Sequence, residues 1–577
     1  MKYLLKRNNF LIFITILGLT TLIIQSCGSS KEQTFKQDLS SPKELTEHSL
    51  TFPKHIRKVG DNIYMAIGYG LANSILIEGK DSVIIIDVME SRETGAEVRA
   101  AFDSVVNKPV AALIYTHFHT DHSSGGKGIA GNDNPRVFSH ELLPKYLDLI
   151  SAVTRDITEK RAYRMFGVYL EPDAHINCGI GPYLDIEKGS TLGILRPTDT
   201  FKDSLDVTIA GIHFQLFHAP GETRDQLFVW LPESKALFCG DNIYKTFPNL
   251  YTIRGTAYRD VNLWKNSLDK MRFKRPELLI PSHTTPIEDA DSIYNTLTIY
   301  RDAIQFIHDQ TVRNMNKGKT PNEIVEKVIL PDHLKNSEWL QEFYGKTQWS
   351  VRTIFDGYLG FFDGNPSTLL PLQLTDRAEK MQLLVGGKEK LMKAVKDALD
   401  EGSDQWALEL TDYLFVLYPK DKTVIDYRTK ALTALGQAQS NPNARHYYLT
   451  MALELQGLEN DGLVQPTSDL VNDIPLSAIF NGMAVKLKAE EALDIQQKVH
   501  YIFTDTDERW TVEIRNGIAE VQPFLYGTPD LTVKVNSLVY KEIGAKIRNP
   551  AKAFLTGEID VDGGQVAFIK FIGLFDI

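Results

Sequence analysis

A chain of 577 residues is too long for one ordinary core, and 43% hydrophobic with 24% charged residues is the composition of a globular protein of two to four domains, not of a disordered or fibrous chain. The formal charge of -11 excludes nucleic acid as a partner, because phosphate binding needs a basic face. A small anion held in a local pocket stays open.

Lys2, Lys6 and Arg7 precede an apolar run from Phe10 to Ile24, too short for a comfortable membrane span but suited to a signal-peptide core. The run ends at Ile24-Gln25-Ser26-Cys27-Gly28, which resembles a bacterial lipobox, although Gln25 is not favoured there. That resemblance implies a signal peptide over residues 1–26 and a lipid anchor on Cys27. The chain is then an exported lipoprotein on a bacterial membrane, in the periplasm or at the outer membrane. An uncleaved anchor is the alternative. Residues 27–53, rich in Ser, Lys and Glu, read as a flexible tether.

Short strands follow at Ile63–Ala66, Ser74–Glu78 and Val83–Asp87, the last a β-branched run suited to a buried strand. A polar helix is expected from about Glu93 to Val106, then a buried strand over Ala111–Thr116. Strand, helix, strand and a chemistry-bearing loop make an α/β pattern with a site at a strand end. From about Thr320 to Gln456 the pattern is helical. Apolar residues between Trp406 and Leu417 recur three to four apart, Pro419 and Asp421 punctuate, and Thr423–Leu435 forms a second helix. After Pro466, alternation over Lys498–Thr504, Trp510–Arg515, Ile518–Val521 and Leu531–Val535 marks half-buried antiparallel strands, with a hairpin turn at Asn516-Gly517. Helices near Ala551–Leu555 and Val566–Phe571 complete a small α+β domain, whose apolar strands form either a tunnel or a closed core. Cys178 and Cys239 read as small buried hydrophobes.

The strand over Ala111–Thr116 delivers His117-Phe118-His119-Thr120-Asp121-His122. Residues i and i+2 after a strand project to one side, so both first imidazoles can meet one metal, while the following turn carries Asp121 and His122 toward a second. Four nitrogen and oxygen donors in six residues are hard to explain as a polar loop.

His117, His119, Asp121 and His122 match the HxHxDH motif of the metallo-β-lactamase superfamily, and the chain resembles a member. The resemblance implies an αββα sandwich with metals at one edge and further ligands from His218-Ala219-Pro220-Gly221-Glu222-Thr223, Cys239-Gly240-Asp241-Asn242 and Pro281-Ser282-His283-Thr284. Most members carry His where this chain has Glu222. A glutamate there is similar to the alkyl sulfatases of the superfamily, as are Asn249–Gly255 and Gly357–Pro366. This implies three parts: a catalytic domain over residues 54–325, an all-α dimerisation domain over 326–465 and a sterol-carrier-like α+β domain over 466–577. It implies a homodimer and two zinc ions. The first zinc would take His117, His119 and Glu222, and the second Asp121, His122 and His283, with Asp241 spanning both where relatives carry Glu. A shared water of lowered pKa would supply hydroxide.

The implied activity is hydrolysis of alkyl sulfate esters such as dodecyl sulfate, with attack at sulfur or at carbon both open. Asp121, Arg254 and Tyr358 are the candidate catalytic residues, and Asn249, Arg254 and Tyr358 the candidate substrate-binding ones. An arginine matches the oxygens of a sulfate as a fork. The plainer readings are an ion pair of Arg254 with Asp260 or another carboxylate and mere close packing of Tyr358. A lactonase, a β-lactamase, a phosphoesterase or a lipid-binding lipoprotein without catalysis are the alternatives in function.

Overall fold

The computed structural model describes residues 42–149 and 153–576. The signal-like run and Cys27 lie outside the described residues. Of the stretch expected as a tether, the part among the described residues is folded from Lys43 onward. A helix over Lys43–His48 buries Leu45 and His48, Asn177 Nδ2 donates to the Leu45 carbonyl at 3.0 Å, and His48 Nε2 bonds to the Gly179 carbonyl at 2.7 Å.

The first sheet takes its strands in chain order: β1 (His55–Gly60), β2 (Ile63–Ile67), β3 (Ser74–Glu78), β4 (Val83–Ile86), β5 (Val110–Ile114), β6 (Arg136–His140) and β7 (Asp199–Phe201). β1 to β4 pair antiparallel, and β4 to β7 pair parallel. The second sheet runs in order from β8 (Ser204–Ile209) through β9 (Ile212–His218), β10 (Leu227–Leu231), β11 (Ala236–Phe238) and β12 (Leu278–Ile280) to β13 (Ile287–Glu288), with β11 and β12 parallel.

Alternation along the strands builds the layers. Ile84 and Ile86 of β4 meet Leu227, Val229 and Leu231 of β10 in the core between the sheets. Val83 and Ile85 face the other way, onto Val98 and Phe102 of the helix Arg92–Asp103. Phe228 and Trp230 of β10 likewise pack on Trp264, Leu268 and Met271 of the helix Val261–Phe273 and on the long helix Ala290–Met315. The catalytic part is therefore helix, sheet, sheet, helix, and each fully buried Ile or Val here contributes roughly 1.5–3 kcal/mol.

The middle region is helical from Leu374–Val385 through Pro442–Leu455. Asp421 caps the helix Lys422–Gln437 by accepting from Thr423 N and Val424 N. Arg164 grips Glu454 with two bonds of 2.8 Å, joining the helices Arg155–Phe166 and Pro442–Leu455.

The last sheet has β14 (Gln496–Phe503) at its centre, flanked by β15 (Arg509–Arg515) and β17 (Leu531–Val535), with β16 (Ile518–Gln522) and β18 (Ile559–Asp562) at the edges. Asn516 and Gly517 turn the β15–β16 hairpin with φ of 49° and 82°, the positive values that a two-residue turn requires. This sheet closes on its own core of Phe480, Tyr501, Trp510 and Phe571.

Candidate metal centre

The donors converge because four strands end at one edge of the sandwich. Asp87 follows β4, His117 follows β5, Asp241 follows β11 and His283 follows β12. Both pairs are parallel neighbours, whose carboxyl ends open a crevice. His119 then caps a short helix, Thr120–Ser123, whose first turn carries Asp121 and His122.

Two donor groups result. One holds His117, His119 and Asp241, the other Asp121, His122 and His283, each with donor atoms within 4.8 Å of one another. His117 Nε2 and His119 Nδ1 stand 2.8 Å apart. Asp241 Oδ2 lies 3.8 Å from His117 Nε2, 3.5 Å from His122 Nε2 and 3.2 Å from His283 Nε2, so it reaches both groups. Asp121 Oδ2 is 3.3 Å from His122 Nε2 and 3.5 Å from His283 Nε2.

The donors fit a bound metal on three counts. Nitrogen and oxygen ligands about 2.0–2.1 Å from a tetrahedral zinc stand about 3.3–3.5 Å from each other, close to the spacings of the second group. His122 Nε2, His283 Nε2 and Asp241 Oδ1 are buried without a hydrogen-bond partner, a costly arrangement that a cation would relieve. The opposite ring nitrogens are fixed. His122 Nδ1 donates to Asp87 at 2.8 Å, His283 Nδ1 to the Leu71 carbonyl at 2.8 Å, and His117 Nδ1 to Thr116 Oγ1 at 3.1 Å. Such bonds turn the remaining nitrogen toward a metal.

Acids and imidazoles shift one another across the two groups. Burial holds His117 and His119 well below the ordinary histidine range. Burial also opposes charge on His122 and His283, but Asp241 and then Asp121 outweigh it and raise both. Burial likewise opposes charge on Asp121 and Asp241, yet the imidazoles of His122 and His283 hold both carboxyls below their usual value.

Glu222 stands outside both donor groups. Its carboxylate, 2% exposed, pairs with Arg259 Nη1 at 2.8 Å and accepts from Tyr244 OH at 3.2 Å. Arg254 Nη2 donates to His119 Nε2 at 2.9 Å. No ion pair joins Arg254 to Asp260, whose carboxylate caps the helix Val261–Phe273 instead. Asn249 is buried beside this region with both side-chain amide atoms unpartnered, its carbonyl accepting from Arg259 Nη1 at 2.6 Å.

Tyr358, expected as a catalytic and substrate-binding residue, lies on the helix Thr347–Leu359. It is 51% exposed, and its hydroxyl meets His308 Nε2 at 2.9 Å. A Cβ on Gly357 would lie 2.4 Å from the Tyr258 ring, so the helix Thr347–Leu359 seats its Gly357 face there. The next residue, about 100° further round, is turned outward.

Sequence reading missed Asp87 and Arg259. Asp87 has φ of 57°, unusual for a non-glycine residue, and is fully buried. It accepts from Thr116 N and Thr116 Oγ1 at 2.9 Å and from Ser282 Oγ at 2.6 Å, besides His122. The signal was an acid at the end of a wholly apolar strand.

A cavity of about 230 Å³ opens from His119, Asp121, Asp241 and Arg254. Its walls are mostly apolar, with Phe118, Leu147, Phe166, Leu192, Leu470 and Ile474 among them, and Arg155, Glu159, Arg196 and Asp473 also line it. Leu470 belongs to the helix Ser468–Asp473, so the C-terminal region lines this channel through its first helix and not through its sheet.

Comparison with known proteins places this geometry. Residues 67–283 match the family described as metallo-beta-lactamase superfamily, residues 320–457 that described as alkyl sulfatase dimerisation, and residues 465–577 that described as alkyl sulfatase C-terminal. A linear primary-alkylsulfatase of Pseudomonas sp. is 35% identical over 520 residues, covering 87% of this chain and 98% of the relative. An alkyl/aryl-sulfatase of Saccharomyces cerevisiae is 27% identical, covering 90% of this chain and 82% of its own. The solved stereoselective inverting sec-alkylsulfatase of Pseudomonas sp. superposes with a TM-score of 0.85 at 24% identity, covering 94% of this chain and 88% of that one.

Proposed function

Because this chain belongs to the alkyl sulfatases of the metallo-β-lactamase superfamily, we propose that it is a binuclear zinc hydrolase that cleaves alkyl sulfate esters such as dodecyl sulfate to an alcohol and inorganic sulfate. One observation carries this reading. The polar donor cluster and Arg254 adjoin a channel whose remaining lining is mostly apolar, with Arg155, Glu159, Arg196 and Asp473 among it, which suits a charged head joined to a hydrocarbon tail.

The first ion would rest on His117, His119 and Asp241, the second on Asp121, His122 and His283, with Asp241 spanning both. The chemistry such a zinc pair supplies when bound is hydroxide at neutral pH, by lowering the pKa of water toward 7. The protein's own groups do the rest. Arg254 carries its guanidinium at the mouth of the donor cluster and can meet sulfate oxygens as a bidentate fork. The walls keep bulk water off the ester, and the tail lies along Phe118, Leu192 and Leu470. Glu222, the remaining expected ligand of the first ion, stands beside the donors in the charge field of Asp241 and His283 and is held there by Arg259.

The apolar residues Leu359, Phe361, Leu370, Leu383 and Leu384 are more than half exposed. They fall within the dimerisation match, which supports a homodimer that covers them. The lipobox-like Cys27 supports export as a lipoprotein, in the periplasm or at the outer membrane.

The test is sulfate release from dodecyl sulfate, measured with zinc content, in wild type and in Arg254→Ala. The proposal expects release by wild type and at least a hundredfold loss in the variant with zinc retained, since a lost charge-assisted anchor costs about 3 kcal/mol. Wild type that binds zinc but hydrolyses only a lactone or a phosphodiester would contradict it.

A further inference from the structure

A second cavity, of about 420 Å³, lies on the other side of Arg254 and shares Phe118, Thr158 and Arg254 with the apolar channel. Its lining is of another kind. Arg161, Arg224, Arg254 and Arg259 face it against two carboxylates, Glu222 and Asp260. Both acids are engaged, Glu222 by Arg259 at 2.8 Å and Asp260 by the backbone of the helix it caps.

The arginines keep donors in reserve. Arg259 is 4% exposed, and its Nε and Nη2 have no partner. Arg161 Nε is also buried without one. Guanidinium N–H groups left unpaired in a buried site are costly, and an oxyanion in the cavity would satisfy them. Exposure is graded along the lining: Arg224 is exposed, Arg161 and Arg254 are half-buried, and Arg259 is buried.

We propose that this arginine-lined cavity binds inorganic sulfate and is the route by which it leaves, while the alcohol leaves through the apolar channel. The inference rests on the alkyl sulfatase reading above. Hydrolysis breaks the bond between ester oxygen and either carbon or sulfur, adds the elements of water, and yields one neutral alcohol and one sulfate anion with a released proton. The two products differ in solvation. A sulfate dianion cannot pass cheaply along Leu147, Phe166, Leu192 and Ile474, the two arginines of that lining, Arg155 and Arg196, are engaged by Glu159 and Asp148, and the alcohol still fills the channel at the moment of cleavage. On the other side of Arg254 lies a ladder of positive charge toward solvent, which draws an anion outward in steps.

The experiment is product inhibition of the zinc-loaded enzyme by sodium sulfate and by dodecanol, with calorimetric titration of sulfate into the same preparations. Arg224→Ala should raise the sulfate inhibition constant and the calorimetric dissociation constant about two- to fivefold, the range of one exposed charge. Dodecanol inhibition should not move. Ala257→Trp, at an exposed lining position that tolerates substitution, fills the cavity. It should weaken sulfate inhibition roughly tenfold or more and lower kcat alike for short and long esters. Sulfate constants equal to wild type in both variants would overturn the inference while leaving hydrolysis in place. Wild type that releases no sulfate from any alkyl ester would overturn the functional reading, and calorimetry would still report whether the cavity holds the anion.

Discussion

Replacing Asp87 by Asn changes one oxygen to an amide nitrogen and leaves shape almost untouched. Oδ2 of Asp87 accepts from His122 Nδ1, Thr116 Oγ1 and Ser282 Oγ, and Oδ1 accepts from Thr116 N. An asparagine has one acceptor oxygen, so it must abandon either the three donors or the Thr116 amide. An unpaired buried donor costs about 1–3 kcal/mol, so the fold should lose about 2 kcal/mol. The effect at the metal is separate. Loss of the carboxylate behind His122 makes that imidazole a weaker ligand, and such partners are worth about 10–100-fold in metal affinity, or about 1.4–2.7 kcal/mol. Zinc affinity is read by titration against a chelator of known strength, and stability by thermal unfolding of stripped and loaded protein. Wild-type zinc affinity in an Asp87→Asn protein of reduced stability would refute the claim that Asp87 orients a ligand and leave it a structural acid.

Two further outcomes follow from neighbouring groups. Leu470→Ala with Ile474→Ala widens the apolar channel, and kcat/KM for dodecyl sulfate should fall about five- to twentyfold from lost contact while a hexyl ester loses less than about twofold; equal losses for both lengths would mean the channel does not hold the tail. Glu90 is buried and pushed up from 4.5 to about 8, opposed by bonds from Asp185 N and Leu71 N. A carboxyl raised in the fold is most favourable while protonated, so its contribution declines as pH rises from about 4.5 through 8, by an amount on the order of 4 kcal/mol. Glu90→Gln should therefore flatten the fall in thermal stability of the metal-stripped protein between about pH 5 and 8, and a wild-type profile in the variant would place the fall elsewhere.

What could be read in the sequence was whatever is local. The turn from His117 to His122 carries its own geometry, because strand alternation and one helical turn decide where four donors point. The β-branched run at Val83–Ile86 announced a strand buried on both faces. Glu222, Asp241 and His283 were legible only by resemblance, since each alone is an ordinary polar residue in a loop. Distance in the fold hid the rest. Arg259 reaches Glu222 across 37 positions of chain, as the two residue numbers give, and Asp87 reaches His122 across 35. That Tyr358 is exposed rather than buried was not legible, because helix phase depends on where Gly357 meets Tyr258, a packing fact with no local trace. The C-terminal strands read as either a tunnel or a closed core, and their core packs around Tyr501 and Trp510. Composition alone could not tell the folded residues 43–53 from a tether.

The account stands on a pair of cations sharing Asp241. Zinc counted per chain by elemental analysis after exhaustive dialysis, in wild type and in Asp241→Ala, asks this without reference to any substrate. Two zinc ions in wild type and fewer than one in the variant are predicted, because Asp241 is the donor that reaches both groups. A wild-type chain that retains none, or a variant that keeps both, would contradict it.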